Sequence, residues 1–140
     1  MKTMVLDIGG TALKSAVFNS KTNALEEIRE CPSEGHLGGK HIVELVIKTI
    51  HDYTKTADFS TIGISTAGQV NPEDGSIIYA NQNVPGYTGI ALGSIVQQEF
   101  HIPTYVENDV NAASIGEAYF GAGRNEKNFV CLAYGTGIGG

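Results

Sequence analysis

Three apolar runs fall within the first 31 residues, Met4–Ile8, Ala12–Phe18 and Leu25–Cys31, each too short for a helix and each closed by turn residues. Gly9 and Gly10 separate the first two, and the polar stretch NSKTN separates the second from the third. Pro32 and the glycines at 35, 38 and 39 end the third. These signals predict a three-stranded meander, the start of a sheet on which everything later must be placed.

After residue 40 the period changes. Val43, Val46, Ile47, Ile50 and Tyr53 recur at the spacing of one helix face, with Glu44, Lys48 and Asp52 opposite. A strand over Thr61–Ser65 follows that helix, the order of a parallel crossover. NPEDG at 71–75 predicts a turn and Ser76–Tyr79 a short strand. Leu92, Ile95, Val96 and Phe100 predict a second helix, Thr104–Glu107 a strand, and Val110–Phe120 a third helix with a small Ala113/Gly116 surface suited to close packing. Phe129–Tyr134 reads as the last strand. The expected fold class is α/β, a mixed central sheet opening with a meander and carrying helices on both faces.

A chain of 140 residues suits one domain and buries roughly two-thirds of its unfolded surface. With 41% hydrophobic and 17% charged residues it has the composition of a soluble globular domain, and a net charge of −6 gives no electrostatic reason to approach nucleic acid or an anionic membrane. Any phosphate ligand must then be held by local geometry. Cys31 and Cys131 are far apart and form no CxxC pair, and His36, His41, His51 and His101 have no metal-ligand spacing. No zinc site, secretory signal or membrane span is expected, and a reducing cytoplasm fits best.

In DIGGT an aspartate ends a strand and two glycines follow, a turn that can present backbone N–H groups to phosphate oxygens. Thr11 adds a hydroxyl, Lys14 a charge, and Asp7 a carboxylate able to hold a water of bound magnesium. An ordinary hairpin turn has the same form. The terminal GTGIGG, with Gly135, Thr136 and Gly137, repeats the device after another strand, so one pocket lined by both turns could hold a triphosphate. Neither stretch fits the P-loop or the dinucleotide fingerprint.

VENDVNAA places Glu107, Asn108 and Asp109 where a strand meets a helix. One of them is expected to cap that helix. At a carboxyl strand end of an α/β sheet, Asn108 and Asp109 also face the usual ligand crevice, and Asp109 can accept the proton of an attacking hydroxyl during phosphoryl transfer. Gly68 in STAGQV and Asn83 in NQNVPGY are either turn residues or ligand contacts, and Glu117 a polar helix position or a residue reaching the sugar side.

Together DIGGTALK, GISTAGQV, NQNVPGYTG, PTYVENDVNAASIGEAYFGAG and GTGIGG resemble, in order, the N-terminal half of the ROK family (repressor, open reading frame, kinase) of bacterial sugar kinases and regulators. The resemblance implies a ribonuclease H-like, actin-like ATPase domain over residues 1–140, with a C-terminal domain beyond this chain. It implies a cytoplasmic, homodimeric kinase that transfers the γ-phosphoryl of ATP to a hexose or glycoside, usually at the 6-hydroxyl. Asp7, Gly9, Gly10, Thr11, Lys14, Gly135, Thr136 and Gly137 would face ATP and Mg2+, with Asp7 reaching the metal through water. Asp109 would be the catalytic base, and Gly68, Asn83, Asn108 and Asp109 would line the sugar side. Ala-Leu within DIGGTALK resembles members acting on β-glucosides. A site built from two domains leaves the 140-residue chain alone inactive. The alternative is a non-catalytic sugar-binding or regulatory member. Such regulators carry a helix-turn-helix before the first phosphate motif, whereas here the first strand begins within a few residues.

Overall fold

A computed structural model of the chain describes residues 1–134, 138 and 139. The meander forms as expected: β1 (Lys2–Ile8), β2 (Ala12–Asn19) and β3 (Ala24–Pro32) pair antiparallel in sequence order. Helix α1 (Gly39–Thr54) then crosses to β4 (Thr61–Thr66), which joins the free edge of β1 in parallel. Two short strands, β5 (Gln69–Val70) and β6 (Ile77–Tyr79), make a separate ribbon around the NPEDG turn. Helix α2 (Leu92–Phe100) returns the chain to β7 (Thr104–Asn108), parallel to β4. The five-stranded sheet has the order β3-β2-β1-β4-β7.

Strand alternation sorts the core. Met4, Leu6 and Ile8 of β1, with Ile62 and Ile64 of β4, turn to one face and are buried, while Thr3 and Asp7 turn to the other. On α1 the buried stripe is Ile42, Val46, Ile50 and Tyr53, so the helix is rotated slightly from the Val43/Ile47 face that the sequence predicts. Leu92 and Val96 bring α2 onto the same core.

One irregularity in the meander has a clear cause. β3 carries an extra residue opposite Ser15–Val17, and Glu27 adopts φ 53, in the left-handed region. The phenol of Tyr53 donates to the Glu27 carbonyl, and it also lies 3.0 Å from the Ser15 carbonyl oxygen. The guanidinium of Arg29 covers its ring at 4.1 Å. A side chain from α1 thus supplies a donor where the bulge interrupts the ladder.

The last helix forms where expected but packs loosely, and the last strand departs from expectation. Helix α3 (Asp109–Phe120) lies toward the other sheet face, where Phe120 meets Phe18 edge-on at 6.0 Å, yet none of its residues is buried. A Cβ added at Gly116 would meet nothing within 4 Å, so the close packing expected of the Ala113/Gly116 surface is not made among the described residues. The strand expected over Phe129–Tyr134 shrinks to β8 (Ala133–Tyr134), paired only with β9 (Ile138–Gly139) and separate from the main sheet. A continuous apolar run records a tendency, but a strand needs a partner: among the described residues Val130 and Leu132 pair with no strand and stay 83% and 72% exposed.

Candidate functional site

The three parallel strands β1, β4 and β7 end side by side, and the penultimate residue of each lies in one row. Register aligns Asp7 with Ser65 and Ser65 with Glu107, while Lys14 of β2 stands across from Asp7. This polar row lies on the face opposite the main core. Ser65 Oγ donates to Asp7 Oδ1 at 2.9 Å, which orients the exposed carboxylate. Lys14 makes no ion pair with it among the described residues. Ser65 stands in no motif that marks its chemistry; its signal is positional, since it ends β4 one residue early, as Asp7 ends β1.

The DIGGT turn closes with Gly9 N donating to Ala12 O at 2.9 Å. Neither Gly9 nor Gly10 takes a positive φ, so the turn does not depend on left-handed backbone at either. A Cβ at Gly9 would come within 3.1 Å of Ala12 O, whereas at Gly10 it would meet nothing within 4 Å. The described chain therefore gives no steric reason for glycine at 10. What the missing side chain leaves is bare backbone facing open space beside Asp7.

Residues 33–39, in sequence no more than a strand breaker, join this turn to the Asn83 loop. Ser33 N donates to Thr11 O at 3.0 Å, and Gly39 N to Pro85 O at 2.8 Å. A Cβ on Gly39 would sit 2.6 Å from Gly86 O and 2.7 Å from Tyr87 Cα, so only glycine lets the loop lie on the start of α1.

At the β7–α3 junction the cap is Asn108. Its Oδ1 accepts from Val110 N and Asn111 N at 3.0 and 3.2 Å, and its Nδ2 donates to Gly68 O and Asp109 Oδ1 at 2.8 and 2.9 Å. The amide is thus occupied within the chain and ties Asp109 to the Gly68 turn. Asp109 is exposed on the first turn of α3. Glu107 Oε1 accepts from Asn108 N and Asn111 Nδ2, bracing the junction from the other side. Glu117 closes the far end of α3 by accepting from Ala122 N at 2.8 Å.

Gly68 is required by the fold itself. It has φ +102, and a Cβ there would lie 2.6 Å from Tyr79 O. Asn83 is exposed, in a loop where its N–H donates to Asn81 Oδ1 at 3.0 Å. Gly135, Thr136 and Gly137, expected to form the second phosphate turn, lie outside the described residues. The strand that follows them is described at Gly139, where an added Cβ would fall 2.6 Å from Val110 Cγ2. The outgoing arm of this hairpin therefore rests against the first turn of α3, beside Asp109.

Among the described residues no group of three or more His, Cys, Asp or Glu could enclose a metal. One exposed carboxylate with one oxygen held by Ser65 does suit Mg2+, which keeps most of its waters and takes few protein ligands.

A mixed sheet of this order, with a glycine turn, a serine-held aspartate and an asparagine-capped acidic helix at adjoining strand ends, defines a ribonuclease H-like domain of the actin-like ATPase kind. The profile of the ROK family matches residues 3–140, and the chain belongs to that family. It is 44% identical over 97% of its length to an uncharacterised protein of Clostridium perfringens, covering 46% of it. It is 31% identical over its whole length to a beta-glucoside kinase of Listeria monocytogenes, again covering 46%. Among solved structures, a ROK family glucokinase from Streptomyces griseus in complex with glucose and AMPPNP superposes with a TM-score of 0.86 at 28% identity, over 99% of this chain and 43% of that one. The chain thus spans just under half the length of these relatives.

Proposed function

We propose that this chain is the N-terminal half of an ATP-dependent sugar kinase, carrying one phosphate turn, the catalytic base and part of the acceptor site. The observation that carries the reading is the meeting of Asp7, Gly68 and Asp109 at adjoining strand ends, tied together through Ser65 and Asn108. The bare backbone at Gly10 would take phosphate oxygens, and Asp7 would hold Mg2+. The cation, when bound, neutralises charge on the β- and γ-phosphates. Lys14, Gly9, Thr11 and the turn of Gly135, Thr136 and Gly137 complete the nucleotide side, while Gly68, Asn83 and Asn108 line the acceptor side.

In the transfer, a sugar hydroxyl oxygen forms a bond to the γ-phosphorus as the bond from that phosphorus to the β–γ bridging oxygen breaks. ADP leaves with that electron pair, and the hydroxyl proton passes to the carboxylate of Asp109. A weak base suffices, because the proton is lost late in a loose transition state. Glucose with ATP is the first pair to test, since the Streptomyces griseus relative holds glucose and AMPPNP. A β-glucoside is the next, after the Listeria monocytogenes relative. The acceptor position proposed is the 6-hydroxyl. A second domain is required to close the site, so the 140-residue chain alone turns over little.

Sugar-dependent ADP release, measured on this chain and on a protein extended through the second half, tests the reading. The extended protein is expected to turn over with at least one hexose or β-glucoside, and Asp109→Asn to lose about 10²- to 10⁴-fold in kcat while keeping sugar affinity. An extended protein with no sugar-dependent turnover across such a panel would reject the kinase. Unimpaired turnover in Asp109→Asn would reject the base.

A further inference from the structure

β4 ends in two successive hydroxyl residues, which strand alternation sends to opposite faces of the sheet. Ser65 holds Asp7 on the polar face. Thr66 points the other way and is fully buried, and its hydroxyl shares a hydrogen bond of 2.9 Å with the phenol of Tyr87, which is 2% exposed. The only other contact of the Thr66 hydroxyl among the described residues is a long one, 3.4 Å to Ala67 O. The phenol has no other partner there. A buried hydroxyl is costly without a partner, so each of these groups depends on the other.

The position of the pair in the chain matters. Thr66 stands two residues before Gly68, and Tyr87 four residues after Asn83. Between Ala80 and Ile90, Tyr87 is the one buried residue, and the turn bonds Val84 N to Asn81 O and Tyr87 N to Val84 O are both long at 3.3 Å. The loop bearing Asn83 is therefore weakly held by its own turn bonds; Gly39 N to Pro85 O at 2.8 Å ties it to α1, and Tyr87 is the one fully buried side chain that anchors it toward the Gly68 turn.

We propose that the Thr66–Tyr87 hydrogen bond is a positioning device that fixes the Asn83 loop against the Gly68 turn, so that the two acceptor-side segments keep one mutual placement. Tyr87 and Thr66 touch no substrate and act through the residues they hold. The mechanical half of the proposal stands on geometry alone, and its consequence for the acceptor rests on the kinase reading.

Tyr87→Phe, Thr66→Val and Thr66→Ser separate the possibilities. Amide hydrogen exchange on this chain should quicken about tenfold at Gly89 and Ile90 in the first two variants, relative to Leu6 in the core, and stay at the wild-type rate in Thr66→Ser, which keeps the hydroxyl. In the extended kinase the first two should raise acceptor KM about tenfold with ATP KM and kcat unchanged. Loop and core amides quickening in parallel, or neither moving, would overturn the positioning role. A loosened loop with unchanged acceptor KM would overturn its link to the acceptor. An extended protein without sugar-dependent turnover would reject the kinase reading, while the exchange rates still decide the mechanical half.

Discussion

Gly68 is a glycine the fold requires and Gly10 is one it does not, and a pair of alanine substitutions distinguishes them. At Gly68 a methyl group would strike Tyr79 O on left-handed backbone, so Gly68→Ala should cost about 1–3 kcal/mol in chemical denaturation. At Gly10 the described chain leaves the methyl free, so Gly10→Ala should stay within about 0.5 kcal/mol of wild type. Its effect should appear instead as weaker binding of ATP or AMPPNP by calorimetry. Equal nucleotide affinity would remove Gly10 from the phosphate site. Tyr87 provides a pH test at the same scale. Burial pushes its phenol from the ordinary 10.0 up to about 12, against a smaller opposing effect of the Thr66 hydrogen bond. The native state thus favours the neutral phenol, and this contribution to stability is whole below pH 10 and is lost as pH rises through about 12. Absorbance titration at alkaline pH should show a late tyrosinate step that Tyr87→Phe abolishes.

Among elements, the pairing of α1 with the β3 bulge is the contact most open to measurement. Tyr53→Phe keeps the ring in the core and under Arg29 but strands the Glu27 carbonyl at the bulge. A loss of about 1–3 kcal/mol is expected, with the exchange of β3 amides rising more than that of β1 amides. A neutral substitution would mean that water or another donor takes the phenol's place. The elements themselves were largely legible beforehand. The meander, α1, β4, α2 and β7 announce themselves through period and turn residues, which are local; residue type announces a cap at the β7–α3 junction, and only the structure assigns it to Asn108. The orientation of α1 was less legible, because Ile42, Val43, Val46 and Ile47 offer two neighbouring apolar stripes and only the sheet beneath selects one.

In the whole molecule the two sides of the sheet are unequal. One is sealed by α1 and α2, while the other carries α3, whose Ile115, Tyr119 and Phe120 stay 52%, 69% and 60% exposed. A helix with no buried side chain has little tertiary packing to stabilise it. In this chain α3 should therefore exchange its amides well before α1, and an apolar dye should bind the chain. Protection of α3 equal to that of α1 would show that its present contacts suffice.

What the sequence determined by itself was the order and type of the elements and the chemistry offered at their ends. Period, turn residues and caps act over a few neighbours and need no knowledge of the fold. The tertiary structure decided which of those residues meet: Ser65 with Asp7, Thr66 with Tyr87, Asn108 with Gly68, and the glycines of 35–39 with the Asn83 loop. It also decided that the run before Tyr134 joins no sheet edge among the described residues. Each of these depends on strand register or on the approach of segments 20 to 60 residues apart in sequence, and a pairing of that range is set by the packing of the whole domain rather than by either segment.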